Sequence, residues 1–338
     1  MSESQAQSAA ERTDALFDRY TLPKVALTVI LAASLVGTWV TTSLNGTSIA
    51  GFAVLKWAYF VALGILTGGL VWKHLFVRPA DLGDDAADYC AEMYDRFDRI
   101  AAGAVAVLAI AGIAVLRVYF GTFGRTATVL GYLTLVVVWL ALAAVTTYWG
   151  GAVDRQFRSP AGLATLGLAL AVVVATAVAE AAMRGFDPVA AGVRVLHLLA
   201  FVVWIGGAVW NIFVAVPTGQ KRPTLGVVQA AGEQLERFRW AVRFIIPVLF
   251  LTGLYQAVDG LGTTVGTYLG SVVGVAVLAK VGFIGLLVVI FKLCPMWRAC
   301  SPIEGVCELD DLGGEEAGET PAQESDPVGG DPEVTSND

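Results

Sequence analysis

Eight long apolar segments constrain this chain more than any other feature of its sequence. Each is about 20 residues long, the length that an α-helix needs to cross the hydrocarbon core of a bilayer. Of the 338 residues, 56% are hydrophobic and 15% are charged, a composition that excludes an ordinary soluble domain. We therefore predict an all-α polytopic membrane helix bundle. The predicted spans are about 23–43, 52–77, 100–120, 127–149, 161–182, 192–216, 239–258 and 266–292.

The two ends of the chain differ from its apolar middle. Residues 1–21 form a polar lead that lacks the pattern of a cleavable signal. Residues 294–338 form an acidic tail, with twelve of the 29 acidic residues from Glu304 onward, and we expect this tail to be disordered. If both termini are cytoplasmic, 15 loop Lys or Arg residues lie inside and four outside. This bias predicts a multi-pass plasma-membrane protein with both termini in the cytoplasm.

The apolar middle also repeats itself. Gly68-Gly69-Leu70-Val71-Trp72 reappears 138 residues later as Gly206-Gly207-Ala208-Val209-Trp210. We predict two four-helix repeats, residues 22–150 and residues 151–293. Because each repeat has an even number of spans, the two should run parallel around an axis along the membrane normal. Binding sites in such folds tend to lie between the repeats.

One polar stripe interrupts the sixth span. His197, Trp204 and Asn211 are spaced by seven residues and therefore share one face of a helix. Polar groups within lipid usually face a protein interior or a wet cavity. His197 could bind a metal, ligate haem or relay a proton, or it could only donate a hydrogen bond to a neighbouring helix. At the repeat offset of 138 it matches Tyr59, so the unusual side chains belong to the second repeat.

Charged side chains within the spans are the other candidates. Lys280 lies near the middle of the last span, where its amine must be neutral, paired or in a wet cavity. Glu180 is the nearest acidic candidate by depth, although it is shallower. Lys56 is expected to snorkel outward. Arg243 is expected to bind a lipid phosphate or to cap a neighbouring helix end.

Two further groups of soft or imidazole ligands lie near the predicted inner face. His74 is read as an interfacial residue, most of a bilayer away from His197, which argues against one bis-histidine haem because the chain has two histidines. A soft metal such as Cu(I) or zinc suits the thiols and thioether that follow the last span. These residues are Cys294, Met296, Cys300 and Cys307. Basic residues do not cluster as they do in nucleic-acid-binding proteins.

Several motifs together resemble the copper resistance protein D (CopD) family. They are Leu196-His197-Leu198-Leu199-Ala200 with Trp204-Ile205-Gly206-Gly207, then Arg237-Phe238, Leu251-Thr252-Gly253-Leu254-Tyr255 and Leu278-Ala279-Lys280-Val281-Gly282. The resemblance covers about 195–292. It implies an integral plasma-membrane protein in copper uptake or handling, with His197 as a copper ligand or gate residue. The partners it implies are membrane lipid and a copper ion or an extracellular copper protein.

Two other interpretations stay open. The sixth span also resembles that of the membrane protoporphyrinogen oxidase (HemJ) type, which implies a haem- or porphyrin-linked oxidoreductase with haem as the cofactor. Alternatively, the chain is a non-catalytic partner subunit whose polar residues only pack helices. A transport or metal-handling protein is favoured over an enzyme, and the oligomeric state is not indicated.

Overall fold

The computed structural model describes residues 21–47, 51–77, 84–149, 156–221 and 224–293, and all their regular elements are helices. Eight helices within these ranges are long and apolar enough to cross a membrane, which confirms the predicted all-α polytopic bundle. The helices are α1 (Thr21–Leu44), α2 (Phe52–Val71, continued by a π-helical turn at Trp72–Phe76), α3 (Asp84–Phe123), α4 (Ala127–Tyr148), α5 (Pro160–Ala182), α6 (Pro188–Val209, continued by Trp210–Ala215 and Val216–Gly219), α7 (Leu225–Leu261), the short α8 (Val265–Gly270) and α9 (Val272–Leu293).

Local sequence signals explain where several helices begin. The side chains of Ser159 and Asp187 accept hydrogen bonds from backbone N–H groups in the first turns of α5 and α6. Pro160 and Pro188 follow them at the first helical position. A proline there has no N–H to leave unpaired, and its fixed φ suits the helix.

Helices α2 and α6 form the centre of the bundle and cross at two glycines. A Cβ added to Gly68 would lie 2.8 Å from the Cα of Gly206, and a Cβ added to Gly206 would lie 2.7 Å from the backbone nitrogen of Gly69. Small residues at a crossing allow backbones to approach closely within a membrane. The Gly-Gly pairs that reveal the repeat therefore hold its two central helices together.

The contacts around this crossing occur in matched pairs. The Trp72 ring packs on Phe238 with centroids 5.7 Å apart, and the Trp210 ring packs on Phe97 with centroids 5.3 Å apart. Trp72 and Trp210 are 138 residues apart, and Phe97 and Phe238 are 141 apart. Each half thus contributes the same two rings to the other. The two repeats and the division of the chain near residue 150 stay predictions.

Both central helices widen into a π-helical turn at matched positions, Trp72–Phe76 and Trp210–Ala215. Helix ends and π-turns leave carbonyl groups without the usual partners. Arg96 of α3 donates from Nε to the Phe213 carbonyl at 2.6 Å, and Arg237 of α7 donates from Nη1 to the Phe76 carbonyl at 2.6 Å. Each arginine therefore completes the π-turn of the opposite half.

Replacing Arg96 with methionine should weaken the second half, although Arg96 lies in the first. The Phe213 carbonyl would lose its partner, which costs about 0.5–1.5 kcal/mol because the hydrogen bond is exposed and water can replace the arginine. Hydrogen exchange, measured by mass spectrometry on the detergent-solubilised protein, should increase in 210–216. Arg237→Met should increase exchange around Phe76 in the same way. Arg99→Met is the control, since Arg99 is exposed and its hydrogen bond among the described residues stays within α3. Increased exchange confined to each mutated helix would contradict the crossed arrangement.

Two helices are longer than their predicted spans. Helix α3 begins at Asp84 instead of near residue 100, and α7 begins at Leu225 instead of near 239. At 1.5 Å per residue, α3 is about 60 Å long, twice a hydrocarbon core of about 30 Å. The added turns of α3 are amphipathic, with Tyr89, Met93 and Phe97 buried at helical spacing. Hydropathy detects only the apolar part of such a helix.

The two halves differ in how their last helices pack. Helix α4 packs along α3, whereas the matching helices α9 and α7 do not pack closely in the described chain, and α9 lies against α1 instead. A gap, the α7/α9 groove, therefore lies beside α6 in the second half. We call the end of the bundle with the α1–α2, α5–α6 and α7–α8 connections the predicted outer end, and the opposite end the predicted inner end.

Candidate functional site

His197 lies half-buried on α6 where α6 meets α7. Its Nδ1 is 2.8 Å from the Thr252 hydroxyl, and that hydroxyl also contacts the Val248 carbonyl of its own helix. Because a carbonyl only accepts, Thr252 donates its proton to Val248 and accepts one from Nδ1. The proton of a neutral imidazole then sits on Nδ1, and the lone pair of Nε2 is left for another ligand. The hydrogen bond also fixes the orientation of the ring.

Lys280 of α9 lies on the other side of the groove, next to α1. A Cβ added to Gly37 would lie 2.7 Å from the Lys280 Nζ, so the glycine makes room for the amine. No hydrogen bond or ion pair of Lys280 is found among the described residues. Lys280 and Arg194 are both near enough to His197 to interact with it electrostatically. Lys280 therefore lies within electrostatic range of His197, and Glu180 is not its partner in the described chain.

The other two residues of the stripe lie deeper, toward the predicted inner end. Trp204 and Asn211 line an apolar cleft between α1, α6, α7 and α9, and His197 is not part of its wall. The Asn211 amide donates from Nδ2 to the Gly207 carbonyl of its own helix at 2.8 Å. The sequence periodicity thus predicts that the three residues share a face of α6. Along that face, His197 lies among polar groups, whereas Trp204 and Asn211 line an apolar cleft.

Glu180 is the centre of a buried polar cluster at the predicted outer end. Its carboxylate pairs with the Lys56 ammonium and accepts a hydrogen bond from Tyr119 at 3.0 Å. Asn45 donates to the same carboxylate at 3.3 Å, and a guanidinium nitrogen of Arg194 lies 3.8 Å away. Lys56 is 1% exposed, so the expectation that it snorkels outward is wrong. Because the Lys56 ammonium pairs with the Glu180 carboxylate inside the bundle, it does not extend to the membrane–water interface.

A continuous series of polar groups joins this cluster to His197. Arg194 donates to the side-chain oxygen of Gln256 at 2.6 Å, and Gln256 donates to the Thr252 carbonyl at 3.1 Å. Thr252 in turn holds His197. A small pocket opens beside Glu180, Arg194 and Gln256. The histidine is therefore linked by hydrogen-bonding groups to a pocket at the predicted outer end.

The two cations on Glu180 occupy matching places in the two halves. Lys56 and Arg194 are 138 residues apart, the offset of the Gly-Gly motif. This coincidence was the sequence signal that could have revealed the cluster. Tyr59, which matches His197, is buried and bonds to the Tyr132 hydroxyl at 2.8 Å, and Tyr132 bonds to Thr176 at 2.9 Å. At this position the first half has a buried, hydrogen-bonded tyrosine, whereas the second half has an imidazole.

Matching positions at the predicted inner end are also filled in the first half. Lys73, which matches Asn211, pairs with Asp98 at 2.8 Å. His74 is buried, with its ring against α5, where a Cβ on Gly162 would lie 2.8 Å from Nε2. Its Nδ1 has no partner in the described chain. His74 is therefore a packed residue and not the surface residue that its position predicted.

The remaining predicted site residues lie apart from the groove network or beyond the description. Arg243 is exposed on α7. The candidate soft-metal ligands Cys294, Met296, Cys300 and Cys307 lie outside the described residues. Within those residues, no three His, Cys, Asp or Glu side chains come together as a metal-binding group. Comparison with family models, curated proteins and solved structures finds no match for this chain.

Proposed function

We propose that this chain is a multi-pass plasma-membrane protein that handles or transports copper, with His197 as its metal-binding side chain. The CopD-like motifs suggest the metal, and one observation carries the assignment to His197. The Thr252 hydrogen bond holds the imidazole with Nε2 unprotonated, as metal-ligating histidines are commonly held. The charge bias of the loops places His197 nearer the extracellular side, with both termini in the cytoplasm.

Copper at His197 requires ligands that this site does not itself supply. No metal-binding group is found in the described chain, and the neighbouring Lys280 and Arg194 disfavour an additional positive charge. An anionic co-ligand, such as chloride or a thiolate of an extracellular copper protein, would supply a further ligand and would also balance the nearby positive charges. The ion would enter beside Glu180, where the polar series toward His197 begins.

The tail thiols would form a second copper-binding site on the other side of the membrane. Cys294, Met296, Cys300 and Cys307 follow α9 at the predicted inner end, whereas His197 lies toward the outer end. Cytoplasmic thiols stay reduced and bind Cu(I) well. We therefore assign His197 to uptake from outside and the tail to release or capture inside.

The proposal predicts that His197→Ala abolishes copper binding at the groove. Purified protein is loaded with Cu(I), and bound metal is measured by mass spectrometry in a background in which the tail cysteines are replaced by serine. Thr252→Val should weaken binding about 10- to 100-fold, because the imidazole remains but loses the group that orients it. Cys90→Ala, a buried thiol elsewhere in the bundle, is the control and should bind copper like the unmodified chain.

Equal copper content of the His197→Ala and unmodified proteins would overturn the assignment to His197. An absorption spectrum of the same samples tests the porphyrin alternative. A Soret band that disappears in His197→Ala would replace copper with haem as the bound group. A colourless protein that binds copper supports the proposal.

A further inference from the structure

The apolar cleft beside Trp204 and Asn211 is a second site within the α7/α9 groove. It is an open cleft, with about 550 Å3 of space between atoms when the open space at its mouth is included. Its wall is almost entirely apolar and comes from four helices: Pro23, Ala26, Leu27 and Ile30 of α1, Trp204, Ala208, Asn211 and Ile212 of α6, Leu235 and Phe238 of α7, and Phe291 of α9.

Two polar groups in this wall have unused hydrogen-bonding capacity. The indole N–H of Trp204 makes no hydrogen bond within the described chain. The Asn211 amide donates to Gly207, and its oxygen has no protein partner among the described residues. Both residues therefore line an otherwise apolar space with hydrogen-bonding capacity to spare. A bare acyl chain would leave both unsatisfied, and each unsatisfied group costs about 1–3 kcal/mol.

In the described part of the first half, larger side chains occupy the matching positions. At the offset of 138, Ala208 matches Leu70 and Asn211 matches Lys73, and Lys73 is engaged by Asp98. At the offset of 141, Leu235 matches Tyr94, whose hydroxyl donates to the Lys73 carbonyl. Helix α4 also closes this side by packing on α3. The cleft is thus a specific difference between two otherwise similar halves.

Aromatic rings shape the cleft. Phe291 and Trp204 have ring centroids 6.5 Å apart, and Phe238 stands on the opposite side, held by its contact with Trp72. Flat walls and one donor–acceptor pair suit a flat ring that carries an oxygen. We infer that the Trp204–Asn211 cleft binds a neutral, lipid-soluble ring compound through a carbonyl or hydroxyl oxygen. This site is independent of copper at His197.

The test uses the full chain in lipid nanodiscs and 2,3-dimethyl-1,4-naphthoquinone as the probe. This quinone quenches tryptophan fluorescence and has no free ring position for thiols to attack. We expect a saturable component of quenching in addition to the linear component from probe dissolved in lipid. Trp204→Phe should remove most of the saturable component. Trp240→Phe is its control, because Trp240 is 61% exposed on α7 and reports the linear component.

Two further variants separate shape from hydrogen bonding. Ala208→Leu introduces the residue of the first half and should weaken probe binding at least tenfold by filling the cleft. Asn211→Leu keeps the volume and removes the amide, so a loss of about fivefold to tenfold is expected. Circular dichroism and copper loading verify that each variant is folded, since neither residue contacts the His197 site.

Unchanged probe affinity in Ala208→Leu, or a saturable component that disappears in Trp240→Phe, would overturn the inference. Lipids with brominated acyl chains test the alternative that the cleft holds a lipid acyl chain and not a ring compound. If they quench Trp204 in the probe-free protein and displace the probe, the cleft holds acyl chains and the inference is wrong. If the probe binds equally in nanodiscs with and without bromine, the ring compound is supported.

Discussion

Replacing Glu180 with leucine is expected to cost about 3–5 kcal/mol of stability, the largest effect of any single polar substitution in the described chain. The substitution leaves the Lys56 ammonium buried without its carboxylate. Removing one partner of a buried ion pair costs far more stability than replacing both partners with apolar side chains. Tyr119 and Asn45 lose their acceptor at the same time. Thermal unfolding of the detergent-solubilised protein measures the loss.

The double variant Lys56→Met with Glu180→Leu supplies the control within the cluster. Because it removes the Lys56–Glu180 pair but leaves Arg194 beside the lost carboxylate, it should recover part of the stability that either single change loses. The exposed pair Lys221–Glu92 is the external control, since its side chains are 55% and 28% exposed. Glu92→Gln should change stability by less than about 1 kcal/mol. A double variant no more stable than Glu180→Leu would contradict the paired arrangement.

Gly206→Ala should strongly destabilise the bundle. The new Cβ would overlap the backbone of α2 at Gly68 and Gly69, and backbone atoms cannot rotate away as a side chain can. The helices must separate, and overpacking of this kind costs about 1–3 kcal/mol or more. The same ring contacts that depend on the crossing, Trp72 with Phe238 and Trp210 with Phe97, would loosen together.

Gly282→Ala is the matched control for this prediction. A Cβ at Gly282 meets nothing within 4 Å, and alanine favours a helix over glycine by about 1 kcal/mol. This change should therefore leave the protein unaltered or slightly more stable in the same unfolding assay. If Gly206→Ala unfolds at the same temperature as Gly282→Ala, then α2 and α6 do not cross at these glycines.

Apolar length and motif spacing were sufficient to predict the helices but not all their ends. The eight spans follow from hydrophobicity, and the Gly-Gly motif indicates the two helices that prove to be central. The first turns of α3 and α7 are too polar for a hydropathy criterion, although Tyr89, Met93 and Phe97 have helical spacing. Burial of these side chains against neighbouring helices stabilises the added turns.

The candidate site was only partly predictable, because its contacts join distant parts of the chain. The sequence indicates that Lys280 and His197 are unusual, and both do lie in the groove. It does not indicate that Lys56 reaches Glu180, 124 residues away, since depth alone does not specify which helices are neighbours. The hydrogen bond from His197 to Thr252 could not be predicted from the sequence either. Thr252 belongs to one of the CopD-like motifs, but the packing of α6 on α7 is what brings it to His197.

The paired π-turns make each half of the bundle depend on the other. They lie at matched places in α2 and α6, and each is completed by an arginine from the opposite half. A truncated chain that kept one half would therefore leave a carbonyl at the predicted inner end without its guanidinium partner.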